Sequence, residues 1–579
     1  VGVRGRLSYL GGPLGVLALF IVLAVLLFSR AWANPSAAWA GVDTDPNLFI
    51  WYLGWTPHQL SSLQSPFFTT DLLFPAGTNL MWNTSIVLPA LVLWPVTAAF
   101  GPIVAYNVMV TAAVALSAWC AYLAVRRLVP SNLAAGWAGL LYGFSPYMTH
   151  QSLGHPHMTL AMFPPLVLLM LHELLVRRRG GAVVMGALLG VASALQLLTG
   201  EEILAGTVLA AVAGVALLAY FHRHQIDGQD RRVLQASGAA AVCFAVLAAY
   251  PLAFQFLGPR RVFGLLQPPN VIVSDLLGFL VPPETMAFSS SGSVALTDHF
   301  TAAPGENGAY LGIPLMVLFA VAAVARRRSP IVRWAAPLTV VAAVLSLGPR
   351  LHIAGVDTRV PLPWLPLGHL PLLENLLPSR LMLFAFLGAG IVVADLAAAG
   401  IRAGGRRRAA ALAALCVASL PLVPKLPYTT TEARVPSFFQ AGGGAEQLPP
   451  GRVVLVTPYA NDGSSHAMLW QAVAGYRFKM PEGDAFVPGP TLGPPPSPLQ
   501  TTLTRLDAGR SVSRSEADLA RTRAELSQAR VQSVVAGPSP GHDRIVRYLT
   551  LVLGRPPAYS GGVDVWWDVP AAPTTLQPA

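Results

Sequence analysis

The chain has 579 residues, 54% of them hydrophobic and only 11% charged, against about 25% charged residues in an ordinary soluble domain. With a mean hydropathy of +0.55, this composition excludes a soluble globular enzyme and points to a multi-pass membrane protein. The formal net charge of +11 invites a nucleic-acid reading, which the positions of the charges remove.

Apolar runs long enough to make most or all of a bilayer crossing recur at 10–28, 103–125, 133–144, 158–176, 182–198, 203–221, 234–257, 311–325, 334–347, 381–394 and 409–422. The first follows Arg4 and Arg6 and is longer than a signal-peptide core, so it reads as a retained membrane helix. One further run, 86–100, contains Pro89 and Pro95 and reads as an interfacial or re-entrant helix. Short cytoplasmic loops are enriched in Lys and Arg. With 86–100 not counted as a crossing, every basic cluster falls on one side: Arg4/Arg6, Arg126-Arg127, Arg177 to Arg179, Arg223/Arg231/Arg232, Arg326 to Arg328 with Arg333, and Arg402 with Arg406 to Arg408. That predicts about 11 spans, the N-terminus inside and the C-terminus outside, with about 18 of the basic residues on the cytoplasmic face. The high net charge is then a topology signal, and no nucleic-acid partner is called for. Cys120, Cys243 and Cys416 lie in apolar runs. Their number and spacing suit neither a disulfide framework nor a metal site, and they read as small buried hydrophobes.

The polar loops on the outer side are the informative ones. They are 29–85; THQSLGHPH, 149–157; TGEE, 199–202; 258–310, ending in GENGAY; and 348–380, ending in LPSR. After residue 424 the apolar runs shorten. GRVVLVTPYA reads as a buried strand, 513–529 as a solvent-facing helix, VQSVVAG as a strand, HDRIVRYLTLVLG as a helix and GGVDVWWDV as a final strand. The expected division is a transmembrane domain over 1–424 and an extracytoplasmic α/β domain over 425–579, with the Gly/Pro-rich 481–498 as a surface loop.

In the stretch GVDTDPNLFIWYLGW, Asp43 and Asp45 lie about 15 residues beyond the first apolar run. Asp45-Pro46-Asn47 reads as a helix N-cap with proline at the first helical position. Phe49, Trp51, Tyr52 and Trp55 then suit a helix lying in the membrane interface. Asp43 has no such local role. A carboxylate there can take a proton from a sugar hydroxyl, as a general base does.

An apolar first helix, an outer loop bearing Asp-x-Asp, an interfacial helix, and many spans capped by an outer domain resemble the GT-C glycosyltransferases, membrane enzymes that use polyprenyl-phosphate-linked sugars. GVDTDPNLFIWYLGW, PFFTTDLLFPAGTNL, ENGAYLG, LPSR and MLWQAVAGYRFKMP are similar to bacterial multi-pass proteins described as glycosyltransferase-like. The resemblance implies an α-helical GT-C-like membrane domain and an inverting transfer to a cell-envelope glycan, lipid or protein at a bacterial plasma membrane. It implies Asp43 as the base. It also implies Asp45 as the residue that orients the acceptor or a divalent cation, Mg or Mn.

Arg380, at the outer start of a span, is placed to pair with a lipid phosphate, or to snorkel. Arg260 and Arg261 are weaker candidates. His150, His155 and His157 can hold a metal, contact substrate, or form a solvated loop. Glu201 and Glu202 suit a helix start or the site, and Asp71 and Glu306 are further acids on the same face. A flippase would carry ionisable residues near mid-membrane, and these spans are nearly free of them. A non-catalytic scaffold would leave the outer acids without a role.

Overall fold

The computed structural model describes residues 12–222, 228–461, 464–489 and 493–569. Arg4, Arg6, Arg223, the start of the first apolar run and residues 490–492 of the Gly/Pro-rich stretch lie outside them. Two compact units emerge: one of Val1–Asn34, Asn107–Tyr250 and Gln267–Thr430, the other of Pro35–Tyr106, Pro251–Leu266 and Thr431–Ala579. The cut expected at 424 therefore falls close to the last boundary but misses that 35–106 and 251–266 belong with the C-terminal segment.

The first unit is helical. Among the described residues of the chain, five helices are long and apolar enough to cross a membrane: Pro102–Leu128, Pro156–Val176, Glu201–Phe221, Asp230–Leu257 and Pro378–Ala403. The other six apolar runs form helices of 12 to 17 residues, about 18 to 26 Å at 1.5 Å per residue. Helix Met382–Ala403 is the axis of this unit and is buried along most of its length. Small residues let neighbours approach it closely, as membrane helices do: a Cβ on Gly388 would meet Thr339, and one on Gly390 would meet Ala138. Asp230–Leu257, by contrast, leaves Val242, Val246 and Tyr250 exposed, an apolar face of the kind lipid covers.

The 158–176 run is not one smooth helix. It breaks after Thr159, resumes at Phe163 and ends in a π-helical turn, His172–Val176. Pro164 and Pro165 cannot donate backbone hydrogen bonds. A break at membrane depth requires partners for the freed groups. Ser117 supplies two, its Oγ donating to the Thr159 carbonyl (2.9 Å) and accepting from the Ala161 N–H (3.1 Å), while the Tyr142 hydroxyl donates to the Ala161 carbonyl (2.8 Å).

The second unit is built on a mixed five-stranded sheet, in the order Ala558–Ser560, Val563–Trp566, Ser533–Ala536, Arg452–Thr457, Phe478–Lys479. Arg452–Thr457 is parallel to both of its neighbours, which accounts for its unbroken apolar sequence. Helices Pro498–Asp507, Glu516–Gln528 and His542–Leu553 close a core of Leu455, Leu503, Leu526, Val534, Leu549 and Trp566. All five elements expected after residue 424 are present.

Three expectations need correction. Helix Pro46–Ser61 does not expose its aromatics to an interface; Trp51, Tyr52 and Trp55 are at most 2% exposed. Trp51 stacks on Trp55 with centroids 4.8 Å apart, and Tyr476 meets both edge-on. Trp51 Nε1 donates to Gln471 Oε1 (2.7 Å), and the Tyr476 hydroxyl donates to the Trp51 carbonyl (2.6 Å). An amphipathic ring is satisfied as well by a buried polar partner as by water. The start of the 481–498 stretch is not a surface loop: Glu482, Ala485 and Val487 are buried, and the Phe486 N–H donates to Asn83 Oδ1 (2.7 Å). Of the cysteines, Cys120 alone is buried, and Cys416 is exposed. The 86–100 run forms two short helices, Val87–Val92 and Trp94–Phe100, neither long enough to cross.

Candidate functional site

The chemistry-bearing residues gather in two places, one in each unit. In the second unit, Asp43 follows a short strand, Ala38–Ala40, and a glycine, Gly41, at φ +122°. His466, at the start of helix His466–Val473, brings Nε2 to 3.0 Å from Asp43 Oδ2. Asn47 Nδ2 donates more weakly to Oδ1 (3.4 Å), and Ser465 Oγ donates to the Thr44 carbonyl (2.9 Å), tying the loop to that helix. His466 donates its Nε2–H to Asp43, and its Nδ1 lies 3.2 Å from the Ser464 hydroxyl. The Asp43 side chain is 43% exposed. Partial burial opposes its ionisation, but the hydrogen bond and charge of His466, then Asn47 and Arg434, outweigh this and hold its pKa below the ordinary value. The result is an ionised carboxylate, open to solvent and fixed in direction.

Asp45 occupies the N-cap position of Pro46–Ser61, but its side chain makes no capping bond; its carbonyl accepts from the Leu48 N–H (2.9 Å) instead. The nearby Tyr52 hydroxyl is buried, and its pKa is raised by that burial and by the carboxylates of Asp484 and Asp45. Asp71 is mostly buried, and burial pushes its pKa up to about 6 despite Lys479, 3.9 Å away. Nothing in the sequence pointed to Glu482. It is fully buried, accepts the Val456 N–H (2.7 Å), and burial raises it to about 8.

In the first unit, four of the loop motifs converge on Arg380. Its Nε and Nη2 donate to Glu306 (3.2 and 2.6 Å), and its Nη1 lies 2.5 Å from Glu202 Oε2. Glu306 also accepts from Gln151 Nε2 (2.8 Å) and Ser379 Oγ (3.3 Å), and His155 Nδ1 lies 3.4 Å from it. Burial alone would suppress ionisation of Glu306, but the Arg380 charge overcomes it and holds the pKa at about 2. THQSLGHPH, TGEE, GENGAY and LPSR thus each contribute a side chain to one buried cluster. Arg380 is engaged by two carboxylates. Glu306 is 2% exposed and Glu202 30% exposed.

The remaining candidates divide. Glu202 meets Arg380, whereas its neighbour Glu201 is the first residue of helix Glu201–Phe221 and is half-buried. His157 is buried, its ring edge-on to His155 at 6.1 Å. His150 turns away: Nδ1 donates to the Pro146 carbonyl (2.7 Å) and Nε2 accepts from Thr285 (2.7 Å), and burial lowers its pKa to about 4. Arg260 and Arg261 are exposed. Among the described residues no group of three or more His, Cys, Asp or Glu side chains is placed to hold a metal ion.

The arabinofuranosyltransferase AftD from mycobacteria superposes with a TM-score of 0.55 at 16% identity, over 96% of this chain and 40% of AftD. The chain thus spans less than half of that protein. The Archaeoglobus fulgidus oligosaccharyltransferase (TM-score 0.44, 13% identity, 91% of this chain and 69% of that one) and ArnT from Cupriavidus metallidurans bound to undecaprenyl phosphate (0.45, 12%, 98% and 99%) are more distant. Comparison with curated proteins gives no match. The fold is that of the GT-C glycosyltransferases, as the Asp-x-Asp architecture implied. The model of the family described as "Domain of unknown function (DUF6311)" matches residues 15–370, more than half of the chain, and the protein belongs to that family.

Proposed function

We propose that this membrane protein is a glycosyltransferase that moves a sugar from a polyprenyl-phosphate donor to a hydroxyl of a cell-envelope glycan, lipid or protein, on the extracytoplasmic face and with inversion. One observation carries the reading: an ionised, solvent-open carboxylate, Asp43, is fixed by His466 on a GT-C fold. Asp43 takes the proton of the acceptor hydroxyl as that oxygen attacks the anomeric carbon from the face opposite the phosphate. The bond from that carbon to the phosphate oxygen breaks, and its electron pair leaves with the lipid phosphate. Phosphate departs without a proton donor, provided its charge is met by cations or hydrogen-bond donors. His466 aims the carboxylate and keeps it ionised. Asp45, Asp71 and Asp484 lie in the same unit.

The transporter reading is less well supported. Charges on the five long helices sit near their ends, and Asp395, the exception, is paired with Arg326 at 2.7 Å. The test is transfer of labelled sugar from a polyprenyl-phosphate donor to an envelope glycan by the purified protein. Asp43→Asn is expected to lose about 10²- to 10⁴-fold in rate, the usual contribution of a general base. Transfer by Asp43→Asn at the parent rate would refute the base assignment.

A further inference from the structure

The first unit contains an apolar groove. It is a cavity of about 150 Å³ bounded by Pro156–Val176, Glu201–Phe221, Pro330–Ser346 and Pro378–Ala403. Leu168, Ala211, Leu338 and Leu387 line it, and its polar residues are Thr207, His172 and His222. The Thr207 hydroxyl is committed to the Ile203 carbonyl of its own helix (2.6 Å), and Trp334 Nε1 to the Gly214 carbonyl (2.7 Å). The walls therefore offer hydrocarbon and almost no free donor, and an apolar cavity of this size takes hydrocarbon rather than water.

The groove runs along these helices, from Thr207 and Phe384 at one end to Leu128, Val176, His222 and Pro330 at the other. The latter four stand beside Arg126-Arg127, Arg177 to Arg179 and Arg326 to Arg328. Exposed Arg333 places its guanidinium 5.4 Å from the ring of Phe221, next to the lining residues Leu218 and His222. The opposite ends of the same helices carry Glu202 and Arg380. We infer that the groove is a binding site for one anionic diacyl phospholipid, an acyl chain filling it and the phosphate headgroup held at the arginine end by Arg333. The hydrocarbon lining requires a chain, and the arginines select its headgroup charge.

The test is native mass spectrometry of the full chain after exchange into bilayers of phosphatidylglycerol, of phosphatidylcholine, or of phosphatidylglycerol with added polyprenyl phosphate. The parent is expected to retain one phosphatidylglycerol roughly fivefold more than phosphatidylcholine, the preference that one arginine near a headgroup confers. Arg333→Gln should lose that preference, and Ala211→Trp, which fills the groove, should lose the lipid. Arg333→Gln changes an exposed residue, so it keeps the test valid even where Ala211→Trp fails to fold. Equal retention of the two phospholipids, an unchanged preference in Arg333→Gln, or displacement of phosphatidylglycerol by polyprenyl phosphate would overturn the assignment.

Discussion

Asp43 stood out in the sequence because nothing local gave it a role, whereas Asp45, beside Pro46, read as a cap that its side chain does not make. His466 was not legible. It lies 423 positions away, just before the MLWQAVAGYRFKMP stretch, which stood out for its resemblance and not for an acid or base. The pair has a consequence that can be measured. His466 is a principal reason that the Asp43 pKa lies below its ordinary value, so its removal moves that pKa up. A base must be ionised to work, so the acid limb of kcat/KM for His466→Ala is expected to shift to higher pH, with little loss on the alkaline side. His466→Gln keeps an N–H donor but no charge, and should shift the limb less. Profiles for both variants that superimpose on the parent's would show that the contact does not tune the base.

At the scale of elements, the polar loops stood out in the sequence, but their meeting points did not. Arg380 was expected at a lipid headgroup because its sequence position marks the start of a span. The structure gives it two carboxylates, and pairing of this kind depends on tertiary contacts that periodicity does not encode. The pairing is one-sided: Glu306 is enclosed by Gln151, Ser379, His155 and Arg380, while Glu202 keeps partial access to water. Glu306→Gln leaves a buried guanidinium with one partner fewer, and a loss of about 3–5 kcal/mol is expected, as for other broken buried ion pairs. Glu202→Gln, nearer the surface, should cost clearly less. Unfolding of the two variants in detergent compares them directly, and equal losses would contradict the view of Glu306 as the fixed partner.

Glu482 gives the second unit a pH dependence of its own. In the unfolded chain it ionises near its ordinary value, 4.5; in the folded chain burial delays this to about 8. The folded state therefore binds the extra proton, and the contribution to stability is full below 4.5 and is lost as pH rises through 8. Glu482→Gln still accepts the Val456 N–H without ionising. It should raise the melting temperature at pH 8 and leave it nearly unchanged at pH 4.5. A stabilisation equal at both values would place its cause elsewhere.

For the whole molecule, apolar runs and arginine clusters gave the helices and their ends, because the bilayer imposes both on the sequence directly. They did not give the second unit, which recruits 35–106 and 251–266 to the C-terminal segment through buried contacts such as Trp51 with Gln471 and Trp82 Nε1 with the Gln255 carbonyl (2.7 Å). The orientation proposed from the arginines makes a demand on these parts together. The loops carrying Arg177 to Arg179 and Arg326 to Arg328 must face the cytoplasm, and residues 29–85 and 425–579 must face the other side. Intact cells labelled with a membrane-impermeant maleimide test this, in a Cys416→Ala background that removes the exposed native thiol. A cysteine replacing Ser513, an accessible site in the second unit, should label in intact cells. One replacing Ser329, beside the Arg326 to Arg328 cluster, should label only after the membrane is opened. The reverse pattern would put Asp43 on the cytoplasmic face, where the proposed extracytoplasmic transfer could not take place.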